Sequence, residues 1–177
     1  VMRAGATQDL LELAVEIAQG RCPKSAVASL FLMRNLALCP ENKAHFLSCA
    51  AALTTLVSGA EGTLPSQGAA VSTVSPASRA YSCSALWALL HNGQKVKSAL
   101  RSAACSSRIL GAAAAITAEL SVLQGAMPST AASVGRAISD LRIAAESLHA
   151  VQEILDIDSA NLTSPDSTLV DIEVGDQ

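Results

Sequence analysis

Leu30-Phe31-Leu32-Met33-Arg34-Asn35-Leu36-Ala37, followed by Pro40-Glu41-Asn42-Lys43 and an apolar run ending at Gly59, is the stretch that decides the fold. Its middle returns in close copy as Ser84-Ala85-Leu86-Trp87-Ala88-Leu89-Leu90-His91, followed by Gln94-Lys95. A unit that recurs along a helical chain is the signature of stacked repeats, each burying its apolar stripe against its neighbours. Such stacks offer extended surfaces to partners and seldom catalyse.

Helices extend in both directions from this unit. Upstream, Leu10, Leu11, Ala14, Val15, Ile17 and Ala18 fall at helical spacing behind Thr7, a candidate N-cap, and Gly20 stops the run, which predicts a helix over about 7–19. Pro23 suits the first turn of the next helix, and Pro40 ends it and restarts the chain. A short helix to about Cys49 and another to Gly59 follow. Residues 60–76 carry Gly62, Pro65, Gly68 and Pro76 among Ser, Thr and Ala with no amphipathic period, and are expected to form a flexible insertion. Ala77 to His91 resumes a strong helix that Asn92-Gly93 ends, and Gln94 to about Ser102 is a short one. Two longer Ala-rich helices are predicted over about 108–124 and 130–155 as caps on the stack. Period-2 alternation is too short anywhere to predict a strand.

Half of the 177 residues are hydrophobic but only 2% are aromatic, so the interior must be built from Leu, Val, Ile and much Ala. Small side chains let helices approach closely. The composition therefore predicts an all-α fold. All twelve Lys and Arg precede residue 156, whereas Asp156, Asp158, Asp166, Asp171, Glu173 and Asp176 make the last stretch purely acidic. Removing these six from fifteen acids leaves nine against twelve bases, so a mildly basic body carries an acidic tail. The bases are scattered, which argues against a nucleic-acid face. The expected organisation is a helical domain over 1–155 and a disordered acidic tail over 156–177. Val1 opens the chain without an initiating Met, so a piece of a longer protein is expected.

The long helix, Pro-Glu-Asn-Lys, short helix, medium helix succession resembles the armadillo repeat, a three-helix unit that stacks into a right-handed superhelix. The resemblance covers roughly the first 102 residues. It implies an armadillo-like α-solenoid, with Leu30 to Leu38 and Ala77 to His91 as third helices. In that family a third-helix Trp and an Asn four positions on face a concave groove, where the Asn grips the backbone of an extended peptide. At matching positions this chain has Phe31 with Asn35 and Trp87 with His91, so each pair keeps one member. These four, with Arg34, are the expected groove residues. By base rate Trp87 belongs to the core, and Asn35 is the better groove candidate because a mid-helix amide needs a partner. The Trp-Ala-Leu-Leu-His-Asn-Gly-Gln-Lys stretch is more narrowly similar to the carboxyl-terminal armadillo-like region of the rotatin family, large scaffolds of centrioles and ciliary basal bodies.

Chemistry is not expected. His45, His91 and His149 are far apart and none has a second ligand type at i, i+4, so neither metal nor cofactor is expected. No G-x-S-x-G or Gly-rich phosphate loop occurs. Cys22, Cys39, Cys49, Cys83 and Cys105 form no C-x-x-C and read as reduced thiols of an intracellular, cytoplasmic protein. Ile109 to Met127 reads as too short and mild to cross a bilayer. The expected partners are proteins, not nucleic acid, membrane or a small-molecule substrate. The alternatives are an importin- or catenin-like peptide groove, and helices over 108–155 lying on a membrane surface. Ser75-Pro76 and Ser164-Pro165 are dipeptides a proline-directed kinase could reach.

Overall fold

The computed structural model describes residues 4–20, 22–64, 72–101, 103–125 and 132–157. Among them the chain forms eight α-helices: α1 (Ala4–Ala18), α2 (Pro23–Ala37), α3 (Lys43–Ser48), α4 (Ala50–Glu61), α5 (Pro76–Leu90), α6 (Gln94–Leu100), α7 (Ala103–Gly125) and α8 (Ala132–Leu155). A 3-10 turn, Pro40–Asn42, leads into α3, and β1 (Thr63–Leu64) pairs antiparallel with β2 (Ser72–Thr73).

Local chemistry sets the boundaries. Pro23 and Pro76 occupy first-turn positions, where a missing N–H costs nothing, and Ser75 caps α5 by accepting from the Ser78 amide. The Asn42 amide donates to the Leu36 carbonyl at 3.0 Å and so closes the α2 end. Asn92, left-handed at φ 57°, turns the chain from α5 into α6, and a Cβ at Gly93 would lie 2.2 Å from the Leu89 carbonyl oxygen. The sequence expectation fails at α1, which begins at Ala4 with Thr7 buried inside it. Thr7 is not a cap because Ala4-Gly5-Ala6 continue the helix upstream. The expected 60–76 loop also contracts: Ala60 and Glu61 belong to α4, Pro76 to α5, and the ladder ties the base together with Leu64 buried beneath it. Residues 65–71 and 158–177 lie outside the described residues.

The helices pack in three rows. α1, α4 and α7 lie side by side, as do α2, α5 and α8, while α3 touches α6. Across the rows α1 packs on α2, α4 on α5 and α7 on α8. Helices α7 and α8, expected as caps, thus pack on α4 and α5 as α4 and α5 pack on α1 and α2. α5 is covered by α2, α4 and α8, which explains why its buried residues, small serines among them, are spread around the helix rather than along one stripe. Leu30, Met33, Phe46, Leu56, Leu86, Leu89, Leu100, Ile109, Ile116, Leu141 and Leu148 are fully buried along one continuous core. Each such side chain stabilises the stack by about 1.5–3 kcal/mol. At the α4–α5 crossing Gly59 faces Ser82, and only a hydrogen at Gly59 fits.

Candidate protein-interaction face

On α2 the core takes Ala26, Leu30, Met33 and Ala37, which leaves Lys24, Ala28, Phe31, Asn35 and Leu38 as an outward stripe at helical spacing. Phe31 is 45% and Leu38 50% exposed, an unusual cost for two large apolar side chains on one helix. α5 lies beside α2 and turns Trp87 and His91 outward, Trp87 being 39% exposed. Trp87 is therefore not a core residue: Leu86, Leu89 and Leu90 take the buried directions around it. Its indole leans on the His91 ring at 5.8 Å between centroids. Phe31 meets the Tyr81 ring edge-on at 5.2 Å across the α2–α5 seam.

The polar members are held loosely. Asn35 accepts from Arg34 Nη1 at 3.2 Å, which leaves its amide nitrogen free to face outward, and Arg34 is half-buried. Lys43 Nζ donates to the His91 carbonyl and ties α3 to the end of α5. All five sequence-predicted residues thus lie on the two adjacent helices. Sequence reasoning passed over Leu38 and Tyr81; the signal was the stripe spacing for the first and the rarity of aromatics for the second.

A second cluster lies where α4, α5 and α7 meet. Arg79 donates to Glu119 at 2.6 Å and to the Glu61 carbonyl at 3.0 Å, its side chain only 13% exposed. Arg108 grips both Glu61 carboxylate oxygens at 2.8 and 2.5 Å and reaches Ser58 at 2.8 Å. The Glu61 carboxylate raises the Arg108 pKa further. A Cβ at Gly62, φ 87°, would collide with the Arg79 guanidinium. Both guanidinium groups are engaged by protein acceptors, so the cluster fastens α4, α5 and α7 together.

A third feature is a cavity of about 270 Å³ between α3 and α6, with Ala44, Leu47 and Val96 as its apolar lining and Lys43 and Lys95 beside them. No His, Cys, Asp and Glu cluster able to hold a metal occurs among the described residues. Burial pushes the Cys83 thiol up to about 12, so it is no nucleophile at neutral pH. Hydrogen bonds from Ser25 lower the exposed Cys22 thiol, whereas the Cys39 thiol, donating to Glu41 at 2.7 Å, is raised. Contrary to the reading of Ile109 to Met127, the unbroken helix over Cys105–Gly125 is long and apolar enough, by length and composition, to cross a membrane. In the fold it packs on α4 and α8 through Ile109, Ala112 and Ile116, with most of its surface uncovered.

The chain matches no protein-family model, no curated protein and no solved structure.

Proposed function

We propose that the chain is a non-catalytic protein-interaction module of armadillo type, which docks a protein partner on the outward faces of α2 and α5. One observation carries this reading: Phe31, Leu38 and Trp87, three large apolar side chains, stand in solvent on neighbouring helices beside the polar groups of Asn35, Arg34 and His91. Aromatic anchors ringed by polar groups are the composition of binding hot spots. The row-by-row packing of equivalent helices supports the solenoid, since stacked units expose such faces by construction. The resemblance to rotatins makes centriole or ciliary-base assembly the place of action.

The test is proximity labelling and imaging of the tagged chain in dividing cells, alongside the Phe31→Ala/Trp87→Ala variant. The intact chain is expected at the centrosome with a defined set of labelled neighbours, and the variant is expected to lose them while melting within a few degrees of the parent, as changes at exposed positions do. Diffuse labelling by the intact chain rejects the place of action; an unchanged neighbour set in the variant rejects the face. A second reading, an importin- or catenin-like groove for an extended peptide, is favoured by the outward Asn35 amide alone. Asn35→Ala should then weaken peptide binding about tenfold, the loss of one buried hydrogen bond at about 1.4 kcal/mol.

A further inference from the structure

The row formed by α3 and α6 carries a groove that the proposed interaction face does not use. Ala44, Leu47 and Val96 give it an apolar lining, and Lys43 and Lys95 contribute cationic groups; among the described residues neither lysine pairs with a carboxylate. Two and six residues beyond Lys95, Lys97 and Arg101 at the end of α6 show what such cations hold: Asp156 lies 3.6 Å from Lys97 and 2.5 Å from Arg101. Asp156 is also where the acidic part of the chain starts, and the residues 158–177 that follow contain five acids and no Lys or Arg. Within them, Asp166-Ser-Thr-Leu-Val-Asp171-Ile-Glu173-Val174 combines carboxylates with Leu169, Val170, Ile172 and Val174, an acidic and apolar mixture that complements a lysine-bearing apolar groove.

We propose that the segment 166–174 docks in cis into the α3–α6 groove, with its acids on Lys43 and Lys95 and its aliphatic side chains against Ala44 and Leu47. Reach favours it. The Lys97–Arg101 anchor fixes the start of the segment, and α6, at 1.5 Å per residue, carries the chain only about 10 Å from Arg101 back to the groove. Residues 158–165 extend to about 26 Å, more than twice that separation. Affinity need not be high, because a tether this short holds the segment at roughly millimolar effective concentration. The groove touches the interaction face at one point, the His91 carbonyl that Lys43 grips. Acid on Lys43 competes for that grip, so docking bears on the His91 end of the face. The proposal does not depend on what that face binds.

The chain has only four lysines, Lys24, Lys43, Lys95 and Lys97, which makes carbodiimide cross-linking a direct readout. The full chain at about 10 μM, prepared as an equal mixture of light and heavy nitrogen isotopes, is cross-linked and digested for mass spectrometry. The Lys97–Asp156 pair serves as internal control. Expected are links from Lys43 or Lys95 to Asp166, Asp171 or Glu173 within one molecule, at least tenfold above those to Lys24, since effective concentration exceeds the bulk by about 100-fold. They should be lost in Lys43→Gln/Lys95→Gln and reduced at 1 M salt, where the Debye length is about 3 Å. Links spread evenly over the four lysines, links only between light and heavy copies, or the control link alone each overturn the proposal.

Discussion

The α4–α5 crossing offers the sharpest test of the packing, through a cycle of Gly59→Ala and Ser82→Ala. Ser82 Oγ is fully buried and finds no partner, and the Cβ of an alanine at 59 would lie 2.2 Å from it and 3.1 Å from the Ser82 Cβ. Removing an unpaired buried hydroxyl recovers its desolvation cost, about 1–3 kcal/mol. Ser82→Ala should thus raise stability by about 1–2 kcal/mol once the small void is counted, near 2–4 °C per kcal/mol in a chain this size. Gly59→Ala gains about 1 kcal/mol of helix propensity but forces the helices apart at about 1–3 kcal/mol, so alone it is neutral to destabilising. In the Ser82→Ala background the oxygen is gone and only the 3.1 Å carbon contact remains, so most of the propensity gain returns. The two changes should couple by about 1–2 kcal/mol. Urea unfolding followed by far-ultraviolet circular dichroism measures all four proteins. Additivity within about 0.5 kcal/mol, or a Ser82→Ala chain less stable than the parent, refutes the crossing as described.

Arg79→Met should cost about 2 kcal/mol in the same assay, because it strands the Glu61 carbonyl, whereas Glu119→Gln should cost under about 1 kcal/mol since that carboxylate is already partly solvated. At pH 8 iodoacetamide should label Cys22 first, Cys39 more slowly and Cys83 last, as read by peptide mass spectrometry; comparable rates at Cys22 and Cys83 contradict the burial. Because the folded Cys83 pKa is raised, its contribution to stability is complete below the unfolded value near 8.5 and declines as pH rises from there towards about 12. Cys83→Ala should flatten that alkaline decline in pH-dependent unfolding. The chain should not float with anionic liposomes at physiological salt, since the only charged side chains of α7, Arg108 and Glu119, are engaged with Glu61 and Arg79. Co-flotation would favour the membrane-surface alternative.

Punctuation made the helices legible. Pro23, Pro40 and Asn92-Gly93 mark turns in one dimension, and they mark them in the structure. What depends on distant pairing was hidden. Arg79 and Glu119 are 40 residues apart and Arg108 and Glu61 are 47, so no spacing rule could join them. The two-residue strands are too short to show a period, and their pairing holds the base of a loop that composition alone reads as free. For Trp87 the repeat position pointed outward and the base rate inward; the base rate fails because it ignores neighbours, Leu86, Leu89 and Leu90 filling the inward directions while the indole rests on the His91 ring. Phe31, Asn35 and His91 were singled out by their place in the recurring stretch, and the structure leaves all three exposed.

Among the described residues the ion pairs between helices fall in two places: the Arg79 and Arg108 pairs where α4, α5 and α7 meet, and the Lys97 and Arg101 pairs with Asp156 at the end of α8. Arg79 and Arg108 rivet α4, α5 and α7, whereas the described contacts that α2 and α8 make with α5 are carbon surfaces, the Phe31–Tyr81 rings and the Ser84–Ser147 hydroxyls at 3.3 Å. Carbon surfaces slide; forked guanidinium bonds resist displacement. A displacement of α2 along α5 therefore breaks no forked bond, whereas a displacement of α7 against α4 must break the Arg108–Glu61 pair. Salt screens these partly exposed pairs, so high ionic strength weakens the α4–α7 join while leaving the carbon-packed α2–α5 join untouched.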